Sequence, residues 1–168
     1  MLQKKLEDAL NQQINAELWS AYLYLSMSLH FEHEGRPGFA NWFKIQFQEE
    51  QAHALALMDY LNARDSKVIL TPIEGVPSSW DSPKAAFEAT LEHEKKVTAS
   101  INNLYAMAEE VKDFATRQKL NTFVAEQVEE EESVRQIIDD LTLVGEDGTG
   151  LLQIDRELGS RTFVAPQL

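Results

Sequence analysis

Cysteine is absent from the 168-residue chain, which excludes disulfides, thiolate metal sites, iron–sulfur clusters and cysteine nucleophiles together. Basic residues are scarce: 15 Lys and Arg stand against 28 Asp and Glu, a formal net charge of −13. Phosphate backbones are neutralised by clustered Lys and Arg, so no nucleic-acid partner is expected, whereas metal cations suit a field of this sign. No apolar run approaches the roughly 18 residues of a membrane span, and the opening Met1-Leu2-Gln3-Lys4-Lys5 is too polar for the core of a signal peptide. The expectation is one cytoplasmic domain over residues 1–168 with no membrane partner. Any metal it binds must be held by oxygen and nitrogen.

Glycine and proline are few, seven and five, and none falls inside four long stretches beyond a first residue. These stretches, about Lys4 to His33, Gly38 to Arg64, Pro83 to Glu110 and Phe114 to Val144, are too long for strands and read as helices. Ser82-Pro83 supplies a cap and a first-turn proline, and Gly145 stops the fourth stretch. Asp65 to Ser82 is too long for a simple turn. Its extended reach of about 60 Å exceeds the roughly 40 Å height of each helix, so it can run the length of a bundle. The sequence therefore predicts an all-α four-helix bundle over about residues 4–144 with one long crossover. A short fifth helix, about residues 147–158, and a tail, 159–168, complete the domain. The leucines of the fifth helix need a surface to cover, on their own bundle or on a neighbouring subunit.

Each long helix carries an apolar stripe at the 3.6-residue period, and each stripe is interrupted near mid-height by groups that can bind metal. Leu6, Leu10, Ile14, Ala21 and Tyr24 share a face with Glu17. Phe39, Phe43, Leu57 and Leu61 share theirs with Glu50 and His53. Glu94 lies among Phe87, Leu91, Val97 and Ile101, and Glu130 and Gln127 lie among Phe123, Val134 and Ile137. Four carboxylates in one apolar layer cost several kcal/mol each unless something neutralises them. No Lys or Arg lies on these stripes near the glutamates, which leaves protonation or bound cations. Two divalent ions balance four carboxylates, and Glu50-x-x-His53 places both side chains on one side of a helix. Fe(II) or Mn(II) suits such an oxygen-rich set, with zinc an alternative. Of the other histidines, His30, His33 and His93 fall off the stripes and read as surface residues.

These residues resemble the bacterial non-haem ferritins over essentially the whole chain. The resemblance is carried by Asn15-Ala16-Glu17-Leu18 with Tyr22-Leu23-Tyr24, by Glu49-Glu50-Gln51-Ala52-His53, by Glu94, and by Glu126-Gln127-Val128-Glu129-Glu130. It implies a ferritin-like bundle in which Glu17, Glu50 and His53 hold one iron and Glu50, Glu94 and Glu130 the second, with Glu50 bridging. Gln127 matches a residue near or weakly on the metals and Tyr24 a tyrosine beside them. Glu49, Glu126 and Glu129 match a third iron site. Gln51 stands where a haem-binding relative has methionine, so no haem is expected. Arg117 and Leu120 align with acids that line an entry pore in animal ferritins, which argues against that route here. The implied activity is that of an iron-storage ferroxidase, in which Fe(II) is oxidised by O2 or H2O2 and stored as ferric oxyhydroxide in a homo-oligomeric shell of 24 subunits. A di-iron peroxidase or oxygenase in a smaller oligomer is the alternative. Trp19, Tyr22, Leu23, Leu25, Met27, Leu29 and Phe31 make the first helix apolar on more faces than one core requires, as a subunit interface or packing under the crossover would.

Overall fold

The computed structural model describes residues 2–168, and among these it contains five helices and no strand. Helices α1 (Lys4–His33), α2 (Pro37–Ala63), α3 (Pro83–Glu110) and α4 (Phe114–Val144) form the bundle, and α5 (Gly148–Leu158) follows. Helix α2 departs from the expected limits by a residue at each end and α5 by one at its start; α2 begins at Pro37, where a missing N–H costs nothing. Side chains cap three helix starts: Ser82 accepts from the Ala85 N–H, Asp113 from Thr116 and Asp147 from Gly150. Each such cap contributes about 1 kcal/mol. Gly145 closes α4 at φ +56°, a left-handed conformation that glycine adopts without steric cost. No helix among the described residues is long and apolar enough to cross a membrane.

Helices α1 and α2 pack together, as do α3 and α4, each pair being joined by a short turn and therefore antiparallel. The connection from α2 to α3 climbs the outside of α1. Near its start the Asn11 side chain binds the Lys67 carbonyl and the Ile69 N–H. Further on, Ser26 donates to the Pro77 carbonyl, and the Trp80 ring meets His30. Successive contacts at Asn11, Ser26 and His30 show that the segment runs most of the bundle's height, so α3 starts beside the end of α1.

The core is two apolar clusters rather than one. Leu23, Met27, Phe31, Phe39, Phe43, Phe87, Val134 and Ile137 pack at one end; Leu6, Leu10, Ile14, Leu57, Leu61, Val97, Ile101, Leu120 and Phe123 pack at the other. Along every long helix the residues that separate the clusters are buried and polar: Glu17 and Ser20 on α1, Glu50 and His53 on α2, Glu94 on α3, Gln127 and Glu130 on α4. The sequence periodicity thus becomes a polar layer with dry walls above and below.

Helix α5 covers its own bundle, on α2 and α4. Ile154 is buried there, and the Asp155 carboxylate accepts from the N–H groups of Gly38 (2.9 Å) and Phe39 (3.0 Å), satisfying two otherwise unpaired donors at the start of α2. Much of the extra apolar surface of α1 also turns inward. Leu23, Met27 and Phe31 belong to the chain's own core, while Tyr22 and Leu29 remain exposed.

Candidate metal centre

Within the polar layer, Glu17, Glu50 and His53 each turn one ligand atom to a common point, all three atoms within 4.8 Å of one another. It is the only group of this kind among the described residues. The helical spacing of Glu50 and His53 sets His53 Nδ1 3.5 Å from Glu50 Oε2, and α1 brings Glu17 from the facing side. The three residues are at most 2% exposed. Four buried side-chain atoms among the described residues find no hydrogen-bond partner there, and three belong to this trio: Glu17 Oε2, Glu50 Oε2 and His53 Nε2. Buried polar atoms are normally paired. Two carboxylate groups and an imidazole, buried together with polar atoms left unpaired, are the arrangement a divalent cation fits.

Glutamines hold the neighbouring carboxylates. Gln13 donates to Glu17 Oε1 (2.8 Å), and Ser100 fixes its orientation by donating to the amide oxygen. Gln46 donates to Glu130 Oε2 (2.8 Å). Gln127 donates to Glu94 Oε2 (3.1 Å), and the Tyr24 hydroxyl donates to Glu94 Oε1. Gln127 thus presents its nitrogen, not its oxygen, to Glu94. Gln13 and Gln46, each four residues before a layer glutamate, went unnoticed in the sequence; that shared spacing was the available signal.

Burial pushes the carboxyls of Glu17 and Glu50 well above the usual carboxylate range, helped for Glu17 by the charge of Glu50 and for Glu50 by that of Glu94. Glu94 is raised by burial and partly drawn back by Tyr24 and Gln127. Burial and the charge of Glu94 raise Glu130 to about 7. The Tyr24 phenol is held well above its ordinary value by burial and by Glu94, so it stays a proton donor.

Residues 7–144 match the ferritin-like domain family. The chain belongs to the ferritin family. It is 44% identical to the bacterial non-heme ferritin of Bacteroides fragilis over 161 residues, covering 96% of this chain and all of that protein. It is 37% identical to the bacterial non-heme ferritin of Staphylococcus aureus over 163 residues, 97% of this chain and 98% of that one. Among solved structures, the open-pore ferritin of the hyperthermophilic archaeon Archaeoglobus fulgidus superposes with a TM-score of 0.95 at 49% identity, covering 96% of this chain and all of that one. A closed form of that ferritin made by site-directed mutagenesis gives 0.96 at 49%, covering 98% and 100%. Membership places the chain in a family of iron-storage proteins.

The remaining residues singled out in this ferritin are placed unevenly. Glu94 and Glu130 lie in the buried layer and act electrostatically on Glu50, but their ligand atoms do not close with it into a second trio of the same tightness. Glu49 is half-buried, as is Glu126, and Glu129 is exposed; these three do not converge either. His93 is a correction: its ring packs between Trp19 and Tyr24, bonds Ser20 Oγ at 2.7 Å, and is lowered by burial to about 4, so it is a neutral packed group and not a solvated one. Leu120 is fully buried and cannot line a pore.

The ferritin also has a cation close to its site that the stripes did not reveal. Arg161, beyond α5, reaches back over the Trp42 ring (4.9 Å) and donates to Gln46 Oε1 (2.7 Å) and Glu49 Oε2 (2.8 Å). Separated from α2 by about a hundred residues, it carried no periodic signal.

Proposed function

We propose that this ferritin is a ferroxidase subunit. Fe(II) is the substrate; Glu17, Glu50 and His53 take one ion, and Glu50, Glu94 and Glu130 take the second, with Glu50 shared. The observation that carries this reading is the trio of unpaired atoms on Glu17, Glu50 and His53 at the centre of a layer with too many carboxylates to ionise unaided. Two divalent ions offset four carboxylate charges, against the burial and repulsion that keep these acids protonated. Two Fe(II) ions together supply the two electrons that take O2 to the peroxide level. The Fe(III) formed binds hydroxide from water, releases protons and leaves for storage as ferric oxyhydroxide.

The chain's own part is positioning and exclusion of water. Gln13 and Gln46 pin one oxygen of Glu17 and Glu130, which leaves the second oxygen of each to rotate towards or away from a metal, while Gln127 and Tyr24 hold both oxygens of Glu94. Carboxylates change their mode of binding with little rearrangement, so a site rich in them can take up Fe(II) and let go of Fe(III). The two apolar clusters keep bulk solvent from the layer.

Storage requires a cavity that one bundle lacks, so the subunit is read as part of a cytoplasmic 24-subunit shell. Similarity to ferritins over nearly its full length supports this, as do apolar side chains left outside on α1 and the crossover, among them Tyr22, Leu29 and Leu70.

The test is aerobic addition of Fe(II) to the assembled protein, alone and as His53→Ala and Glu130→Ala, with particle mass followed by size exclusion. A ferritin oxidises many irons per chain and keeps them soluble, and both variants slow the initial oxidation by about tenfold or more while staying assembled. Saturation near two irons per chain would indicate a di-iron enzyme. Unchanged rates in both variants would remove the site assignment.

A further inference from the structure

The Arg161 guanidinium stands at the edge of the metal layer. Its position is fixed from both sides. The segment that bears it is tied to α2 by the Asn41 amide, which donates to the carbonyls of Leu158 (3.1 Å) and Arg161 (3.0 Å). The guanidinium then lies along one face of α2, over Trp42 and against Gln46 and Glu49. Residues 42, 46 and 49 recur at the helical period, so they form a single strip that receives it.

Two consequences follow from these contacts. By accepting from Arg161 through its oxygen, Gln46 is left with its amide nitrogen facing Glu130, so the guanidinium sets the hydrogen bond made to a layer carboxylate. And the carboxylate of Glu49, a group that resemblance assigns to a third iron, already has a cation 2.8 Å away.

We propose that Arg161 is a built-in occupant of the third-cation position, so that the C-terminal segment holds this centre to two metal ions. The inference rests on the ferroxidase reading of the buried layer. The charges close without a third ion: two divalent cations balance Glu17, Glu50, Glu94 and Glu130, and Arg161 balances Glu49. A third divalent ion would have to enter beside five already balanced carboxylates, with only the half-buried Glu126 and the exposed Glu129 left to draw it. It would also have to break charge-assisted hydrogen bonds and a guanidinium–indole contact. Of the other carboxylates at hand, Glu126 is half-buried and Glu129 exposed, and they do not converge with Glu49 on a common point.

The experiment is calorimetric titration of Zn(II), which cannot be oxidised, into the assembled metal-free protein. The parent is expected to bind two ions in the layer, and Glu50→Ala to lose them. Arg161→Gln, which removes the charge and keeps a polar side chain, is expected to gain a third ion with affinity at least about tenfold above any third binding in the parent. Arg161→Lys, which keeps the charge, stays at two. Adding Glu49→Gln to Arg161→Gln abolishes the gained ion. Glu49→Gln alone provides a check that does not depend on the arginine variants folding: the proposal requires it to leave the parent's count unchanged, whereas a third site at Glu49 in the parent would lose an ion. The inference is overturned if parent and Arg161→Gln bind the same number with the same affinities, or if the gained ion survives loss of Glu49. A parent that binds no ions in the layer removes the ferroxidase reading and this inference with it, while two ions in both proteins removes the inference alone.

Discussion

Gly38 and Asp155 meet backbone against backbone: a Cβ at position 38 would stand 1.5 Å from the Asp155 carbonyl oxygen. The same aspartate binds the Gly38 and Phe39 N–H groups through its carboxylate. Helix α5 is thereby seated on the first turn of α2 at van der Waals contact. Its C-terminal continuation then runs to Asn41 and delivers Arg161 to Gln46 and Glu49. One missing methyl group fixes the approach that places a cation beside the buried carboxylate layer.

Gly38→Ala therefore cannot be absorbed by a side-chain movement, since the atom in the way is backbone. The expected cost is about 2–3 kcal/mol, as for other overpacked contacts, and it falls on the α5 junction rather than the bundle. Limited proteolysis should cut the segment after Gly159 faster in the variant while the four long helices persist by circular dichroism. A variant as resistant as the parent would show that α5 docks less tightly than the contact requires.

Glu130 gives a pH-dependent stability with a definite sign. Its carboxyl is raised from 4.5 to about 7 in the folded chain. The folded state therefore holds its proton more firmly than the unfolded state. The associated stability is fully present below about pH 4.5 and is lost as pH rises through about 7. Glu130→Gln, neutral at every pH, avoids this loss and still accepts the Gln46 hydrogen bond. Metal-free Glu130→Gln should match the parent in urea unfolding near pH 4 and exceed it by about 2 kcal/mol at pH 8. Saturating Zn(II) should reverse the order at pH 8. A metal-free parent that is the more stable of the two at pH 8 would contradict a buried, unneutralised Glu130.

Tyr24 touches the layer only through Glu94, to which its hydroxyl donates. Tyr24→Phe keeps the ring packed against Phe43 and removes the donor, and hydrogen bonds to a charged group contribute about 1.5–3 kcal/mol. The expected result is slower Fe(II) oxidation, by about tenfold, with Zn(II) affinity at Glu17, Glu50 and His53 unchanged within about twofold. Loss of that affinity would mean the substitution disturbs the whole layer. An unchanged oxidation rate would mean that Glu94 needs no fixed orientation.

The helices and their polar layer were legible in the sequence because both are periodic. A residue's face is set by its number modulo 3.6, and its height by its distance from the helix start. Glu17, Glu50, Glu94, Glu130 and His53 could be placed in one layer on those two rules, and the crossover followed from the length of chain between Ala63 and Pro83. What the sequence determined, then, was everything that depends on local spacing: five helices, their stripes, and the carboxylates that interrupt them. It did not determine which groups meet across the layer. Gln46 bonding Glu130 instead of its neighbour Glu50, His93 closing on Ser20 and Trp19, α5 seated on Gly38, and Arg161 returning to Glu49 are contacts between elements. Tertiary packing alone decided these, because residues far apart in the chain carry no shared period, and their meeting depends on how the helices sit against one another.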